Sequence, residues 1–283
     1  MSVPVQDTIT PTVPTTPHGV QRVRHAMKLR RATVLRTTPV TPALLRVTFG
    51  GADLADFVTA SFDDHVKLFL PQPGSSEPVL PSGPPGSRLA EGDGPRPLAR
   101  DYTPRRFDAT AGELDIDFVL HGHGPAASWA AQARPGQWLG LGGPRGSFIL
   151  PPALDWQLLI GDDAALPAIA RRLAELPAGT AVRVLVETQD ASTQPPLPTL
   201  AQAHISWLHR GCAEAGRSGL LLGAVQRLSR PAGEGFVWAA GEAAEIAAVR
   251  ADIVARWGLA KHQIRAASYW KRGAASFHEV LDT

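Results

Sequence analysis

The sequence predicts two folded units in series, an antiparallel β-barrel followed by a Rossmann-like parallel sheet covered by helices. Three observations carry this. From about residue 30 to 150, short alternating runs are separated by turn residues. After Pro151-Pro152, fully apolar runs alternate with helical stretches. At 283 residues the chain also exceeds what one core usually holds, so two cores are expected, at 27–152 and 153–283, behind a Thr- and Pro-rich flexible tail at 1–26.

The clearest strand of the first unit is "ELDIDFVLH". Leu114, Ile116, Phe118 and Leu120 alternate there with Glu113, Asp115 and Asp117, so one face is apolar and the other acidic. "RATVLRTT", "LLRVTFGG", "HVKLFLP", "RDYTPRRF" and "QWLGLGGPRGSFIL" supply the remaining strands, and the Pro- and Gly-rich stretch from 71 to 98 is a long surface loop. In the second unit, "WQLLIGD", "AVRVLVET", "HISWLHR", "FVWAAGE" and "IRAASYW" read as buried parallel strands. "AALPAIARRLAELP", "GLLLGAVQRL" and "AAEIAAVRADIVARWG" read as the helices between them.

Composition excludes several functions. The net charge is +2, and although six Lys or Arg fall from Arg22 to Arg36, the balance gives no general case for nucleic-acid binding. Cys212 is the single cysteine, so no internal disulfide and no thiolate metal site are expected. The first twenty residues lack the pattern of a secretory signal, and no run approaches the roughly 20 apolar residues of a membrane span. A soluble, cytoplasmic, monomeric protein with no membrane partner is expected.

Four stretches carry residues suited to chemistry. In "HVKLFLP", Lys67 interrupts a buried strand, and it points either to solvent or into a pocket for an anion. In "ARDYTPRRFD", Arg100 and Tyr102 share a face, suiting a phosphate beside a ring system; the plainer reading has these cations balance the acids of "ELDID". "HGHGPAASWA" is a glycine turn feeding a helix over 126–133, whose free N–H groups favour an anion. His121 and His123 lack a Cys or third His for a metal site. "LIGDDAALP" and "WAAGEAAEI" each end a strand in glycine and acid, at Gly161–Asp162 and Gly241–Glu242. Those ends flank one cofactor, or the glycines serve tight turns only, and the G-x-G-x-x-G fingerprint is absent.

Taken in order, "DDHVKLFLP", "RDYTPRRFD", "DIDFVLHGHGPAASWA", "GPRGSF", "GDDAALPAIARRL", "VWAAGE" and "YWKRG" resemble the siderophore-interacting proteins, ferric-siderophore reductases of the ferredoxin-reductase-like class, over about residues 27–273. The resemblance implies an FAD-binding barrel and an NADPH- or NADH-binding domain that pass electrons to a ferric siderophore. Arg100, Tyr102, Thr103 and Arg105 then fall at the flavin, as do His121, Gly122, Gly124, Pro125 and Ala126, with Ala127 in place of the usual serine and Ser128 following it. Gly161, Asp162, Gly241 and Glu242 fall at the nicotinamide nucleotide, with Ala164 replacing a usual threonine. His209 and Arg210 are assigned to the 2′-phosphate of NADPH, the preferred donor over NADH or a ferredoxin. Lys67, Lys271 and Arg272 are expected around an anionic chelate. A general flavin or ferric reductase and a non-catalytic siderophore-binding protein are the alternatives.

Overall fold

The computed structural model describes residues 19–82, 96–121, 124–274 and 279–281. Gly122, His123, residues 1–18 of the expected tail and residues 83–95 of the long loop therefore lie outside the described residues. The first unit contains β1 (Gln21–Arg24), β2 (Leu29–Thr41), β3 (Leu44–Gly50), β4 (Val66–Leu70), β5 (Leu98–Tyr102), β6 (Arg106–Asp108), β7 (Glu113–Val119), the helix α1 (Pro125–Ala130), β8 (Trp138–Gly142) and β9 (Gly146–Ile149). Seven of these strands form one antiparallel sheet in the order β5-β4-β8-β2-β3-β7-β6. Its two edge strands are consecutive in the chain. Four Cα steps from Tyr102 to Arg106 reach at most roughly 15 Å, whereas seven flat strands would be about 29 Å across, so the sheet must curl into a barrel. Phe49, Leu68, Ile116, Phe118 and Leu141 fill its interior, and Trp129 of α1 covers them, stacked 6.2 Å from Phe49.

Three expectations are corrected here. Residues 21–24, placed in the tail, form β1 and pair antiparallel with β9. "RDYTPRRF" is two strands, because Pro104 has no N–H to continue a ladder. The acidic face of β7 is not solvated. Asp115 and Asp117 are as buried as the apolar face, held by Thr48 (2.6 Å), Arg46 (2.7 Å) and Arg106 (3.5 Å).

The second unit runs β10 (Trp156–Gly161), α2 (Leu166–Glu175), β11 (Ala181–Thr188), β12 (Gln202–His209), α3 (Leu220–Gln226), β13 (Gly235–Glu242), α4 (Ala243–Trp257), β14 (Ile264–Trp270) and β15 (Glu279–Val280). The sheet order is β12-β11-β10-β13-β14-β15, with the first five strands parallel and β15 antiparallel. β10 and β13 are buried throughout, because α2 packs on one face and α3 with α4 on the other. After β12 the chain returns to the other side of β10, so the switch point lies between the carboxyl ends of β10 and β13.

A loop before β4 joins the units. Phe62 packs edge-on to Trp238 at 5.5 Å, and Asp63 accepts the Trp238 indole N–H at 2.8 Å and is ion-paired with Arg265. From the other side, Arg171 of α2 donates to Thr59 Oγ1 and to the Pro104 carbonyl, both at 2.8 Å.

Candidate functional site

The interface brings the end of β5 against the end of β14. Thr103, buried just past β5, is a hydrogen-bond partner of Tyr269. Strand alternation puts Arg100 and Tyr102 on one face of β5, with Tyr102 4.5 Å from the Phe118 ring. Arg100 donates to the Ala99 carbonyl at 2.7 Å. Arg105 lies apart from this pair, among Arg46, Asp117, Asp115 and Glu175, and burial pulls its guanidinium below the ordinary value. Its Nε has no partner. Arg105 and Arg106 both lie beside the acids of β7.

At α1, Gly124 takes φ +91°, which favours glycine, and Pro125 opens the helix. The first helical bond runs from Ser128 N to Gly124 O at 3.0 Å, so the amides of Ala126 and Ala127 precede it. A Cβ on Gly124 would lie 3.4 Å from the His121 ring. Ala127 is buried and Ser128 exposed, so the serine hydroxyl does not take over the place of residue 127.

At the switch point, Gly161 serves packing: a Cβ there would lie 2.3 Å from Ala165 Cβ and 2.9 Å from Ala240 O. Gly241, at φ +154°, leaves room for Asp162. Asp162 and Glu242 are buried with their carboxylates bonded inside the protein. Burial pushes Asp162 up to about 7 against the opposing Trp270 hydrogen bond, and burial with the nearby Glu187 and Asp162 pushes Glu245 up to about 7.

Arg210 does not reach outward as its assignment to a 2′-phosphate requires. It is 12% exposed, ion-paired to Asp163 at 2.7 Å, and 4.0 Å from Glu187. His209 is exposed and bonded to Gln194 at 2.5 Å. The cations nearer the crevice are others. A cleft of about 450 Å³ beside the end of β13 is lined by Glu214, Arg217, Glu242, Lys271 and Arg272. Sequence reasoning missed Arg217, and its one signal was "GCAEAGRSG". There Gly216, at φ +71°, packs where a Cβ would lie 2.6 Å from Glu242 Cγ and 3.3 Å from Trp270, letting the loop lie on both. Lys67, on the outer face of β4, is half exposed and ion-paired with Asp101 of β5 at 2.6 Å. Among the described residues no helix is long and apolar enough to cross a membrane, and no cluster of three His, Cys, Asp or Glu fits a metal.

Residues 33–148 match the model of the siderophore-interacting FAD-binding domain, and residues 154–273 match that of the siderophore-interacting protein. The chain is 36% identical over 259 residues to the NADPH-dependent ferric-chelate reductase of Escherichia coli (strain K12), covering 90% of this chain and 98% of that one. It is 35% identical over 255 residues to the ferric vibriobactin reductase of Vibrio cholerae, covering 87% and 91%. Among solved structures, a siderophore utilization protein from T. fusca superposes with a TM-score of 0.84 at 40% identity, covering 90% of this chain and 97% of that one. With the barrel, the switch-point crevice and both models in agreement, the chain belongs to the siderophore-interacting protein family.

Proposed function

We propose that this chain is an NADPH-dependent ferric-siderophore reductase that frees iron from imported chelates in the cytoplasm, with 21–152 as flavin domain and 153–283 as nicotinamide domain. The observation that carries the reading is the contact between Thr103 and Tyr269, which joins the strand of the flavin motif to the segment bearing Lys271 and Arg272. FAD fits the residues present: Arg100 and Tyr102 share a face, Thr103 is buried at its end, and Gly124, at φ +91°, turns the chain into α1 beside His121. Arg100 would meet its phosphate, Tyr102 its ring system, and the amides of Ala126 and Ala127 its pyrophosphate.

Bound FAD would supply the conversion of one hydride into two single electrons, so that NADPH and two ferric chelates give NADP⁺, a proton and two ferrous ions. The chain's own residues orient the partners. Lys271 and Arg272, with Lys67 on β4, attract an anionic chelate toward the flavin edge. Fe(III) is held far more tightly than Fe(II) by hard oxygen donors, so iron leaves once reduced and no nucleophile is required.

Anaerobic spectroscopy tests this. NADPH should bleach the flavin band of the purified protein, and a ferric tris-catecholate added next should restore it as Fe(II) forms. A colourless protein that FAD cannot reconstitute sinks the reading and leaves a siderophore-binding protein. One observation favours a general ferric or flavin reductase: Asp101 already answers the charge of Lys67. Lys67→Ala decides between them. A rise of about fivefold in KM for anionic ferric chelates with flavin retained supports the siderophore reductase, and unchanged chelate kinetics support the general reductase.

A further inference from the structure

Asp162 and Glu242 end neighbouring strands at the switch point, where a nucleotide-binding role is the ordinary expectation. Their hydrogen bonds point elsewhere. Asp162 Oδ1 accepts from Ala164 N at 2.9 Å, and its Oδ2 accepts from Glu242 N at 3.0 Å and from the Trp270 indole at 2.7 Å. Glu242 Oε2 caps α4 through Ala244 N (2.7 Å) and Glu245 N (3.1 Å), and its Oε1 accepts from Arg272 N at 3.3 Å. With three donors each, the two carboxylates have little acceptor capacity left for a ribose or an amide. Both reach the same short segment, one at Trp270 and the other at Arg272.

That segment is also where the sheet is irregular. Gly241 pairs with Ser268 and Glu242 with Trp270, so Tyr269 is an inserted residue, a bulge that re-aims its neighbours. Tyr269 turns to Thr103 and Trp270 to Asp162. Gly273, at φ +74°, then turns the chain, and Gly216 lies against both Glu242 and Trp270.

We propose that Asp162 and Glu242 are positioning residues for the chelate site: they hold Trp270–Gly273 so that Lys271 and Arg272 line the cleft, and they do not bind the nicotinamide nucleotide. The proposal rests on the reading of that segment as chelate-binding.

Binding, without turnover, tests it. Flavin-loaded full-length protein is titrated separately with the gallium(III) complex of a tris-catecholate, which matches the charge and shape of the ferric chelate but does not take up an electron, and with NADP⁺. Trp270→Phe, which keeps a ring and removes the N–H, and Asp162→Asn, which keeps one acceptor, should each weaken the gallium chelate about tenfold and leave NADP⁺ affinity unchanged. Asp162→Ala should weaken the chelate further than Asp162→Asn, and circular dichroism with flavin content checks that each variant folds. A loss of NADP⁺ affinity with chelate binding intact overturns the proposal, as does no change in either. Failure of the unsubstituted protein to bind the gallium chelate while it binds NADP⁺ would instead remove the functional reading and the proposal with it.

Discussion

Asp63→Ala should loosen the two units from each other. Asp63 is 6% exposed and is shared by an indole on β13 and a guanidinium on β14, both from the unit opposite its own. Trp238 is fully buried, and the Arg265 side chain is 14% exposed with its guanidinium 4.6 Å from the Phe148 ring. Removing the carboxylate leaves a buried cation without its partner, which costs about 3–5 kcal/mol, and an indole N–H without an acceptor, which costs about 1–3 kcal/mol. Water entering the vacated volume answers part of both, so the net loss is about 4 kcal/mol. With a urea slope of about 3 kcal/mol/M, the midpoint falls by roughly 1 M. The assay is urea unfolding followed by tryptophan fluorescence and far-UV circular dichroism. The two probes should coincide before the substitution and separate after it, because the interface no longer couples the cores. Asp63→Asn keeps an acceptor for the indole but not the charge, and should lose about two-thirds as much. A midpoint for Asp63→Ala within about 0.2 M of the unsubstituted protein would refute the reasoning.

Stability should fall as pH rises from about 4 to 7. Asp162 and Glu245 have folded pKa values of about 7, above their ordinary 3.8 and 4.5. The folded state therefore keeps protons that the unfolded chain releases between about pH 4 and 7, so this contribution is complete below pH 4 and is lost as pH rises through 7. The shift at Asp162 alone corresponds to about 4 kcal/mol. Urea midpoints at pH 5 and 8 capture most of it, Glu245→Gln should reduce the slope, and a midpoint that rises across this range would contradict the assignment. Gly161→Ala should cost about 1–3 kcal/mol by overpacking, since the new methyl meets Ala165 Cβ and the Ala240 carbonyl. Thermal unfolding reads it, and an unchanged Tm would show that α2 can move away from β10.

Elements that state their environment locally were legible in the sequence. β10 and β13 are apolar on both faces because each is sandwiched, and 15-residue α4 runs from its Glu242 cap to Gly258 in the left-handed conformation much as its pattern predicts. What was not legible depends on distant partners. β1 has only four residues and exists through pairing with Ile149, Phe148, Ser147 and Gly146. The acids of β7 look solvent-facing until Arg46 and Arg106 arrive from β3 and β6. Arg210 was rightly put at a strand end, but Asp163, which takes up its charge, lies on the far side of β11.

The switch point supplies a crevice by strand order alone, whether or not a glycine fingerprint stands in its first turn. In this chain acids occupy that turn, and their oxygens take the backbone N–H groups of Ala164, Glu242, Ala244 and Glu245 that would otherwise be open to a phosphate. Thr103 from the barrel, Asp162 from β10 and Glu242 from β13 then each hold a different residue of Tyr269–Arg272. A segment anchored three ways by three separate stretches of chain shifts when one anchor is altered and does not come free. On the proposed reading, changes in preference among chelates belong to the side chains at 67, 271 and 272, where charge and shape can vary while the three anchors stay in place.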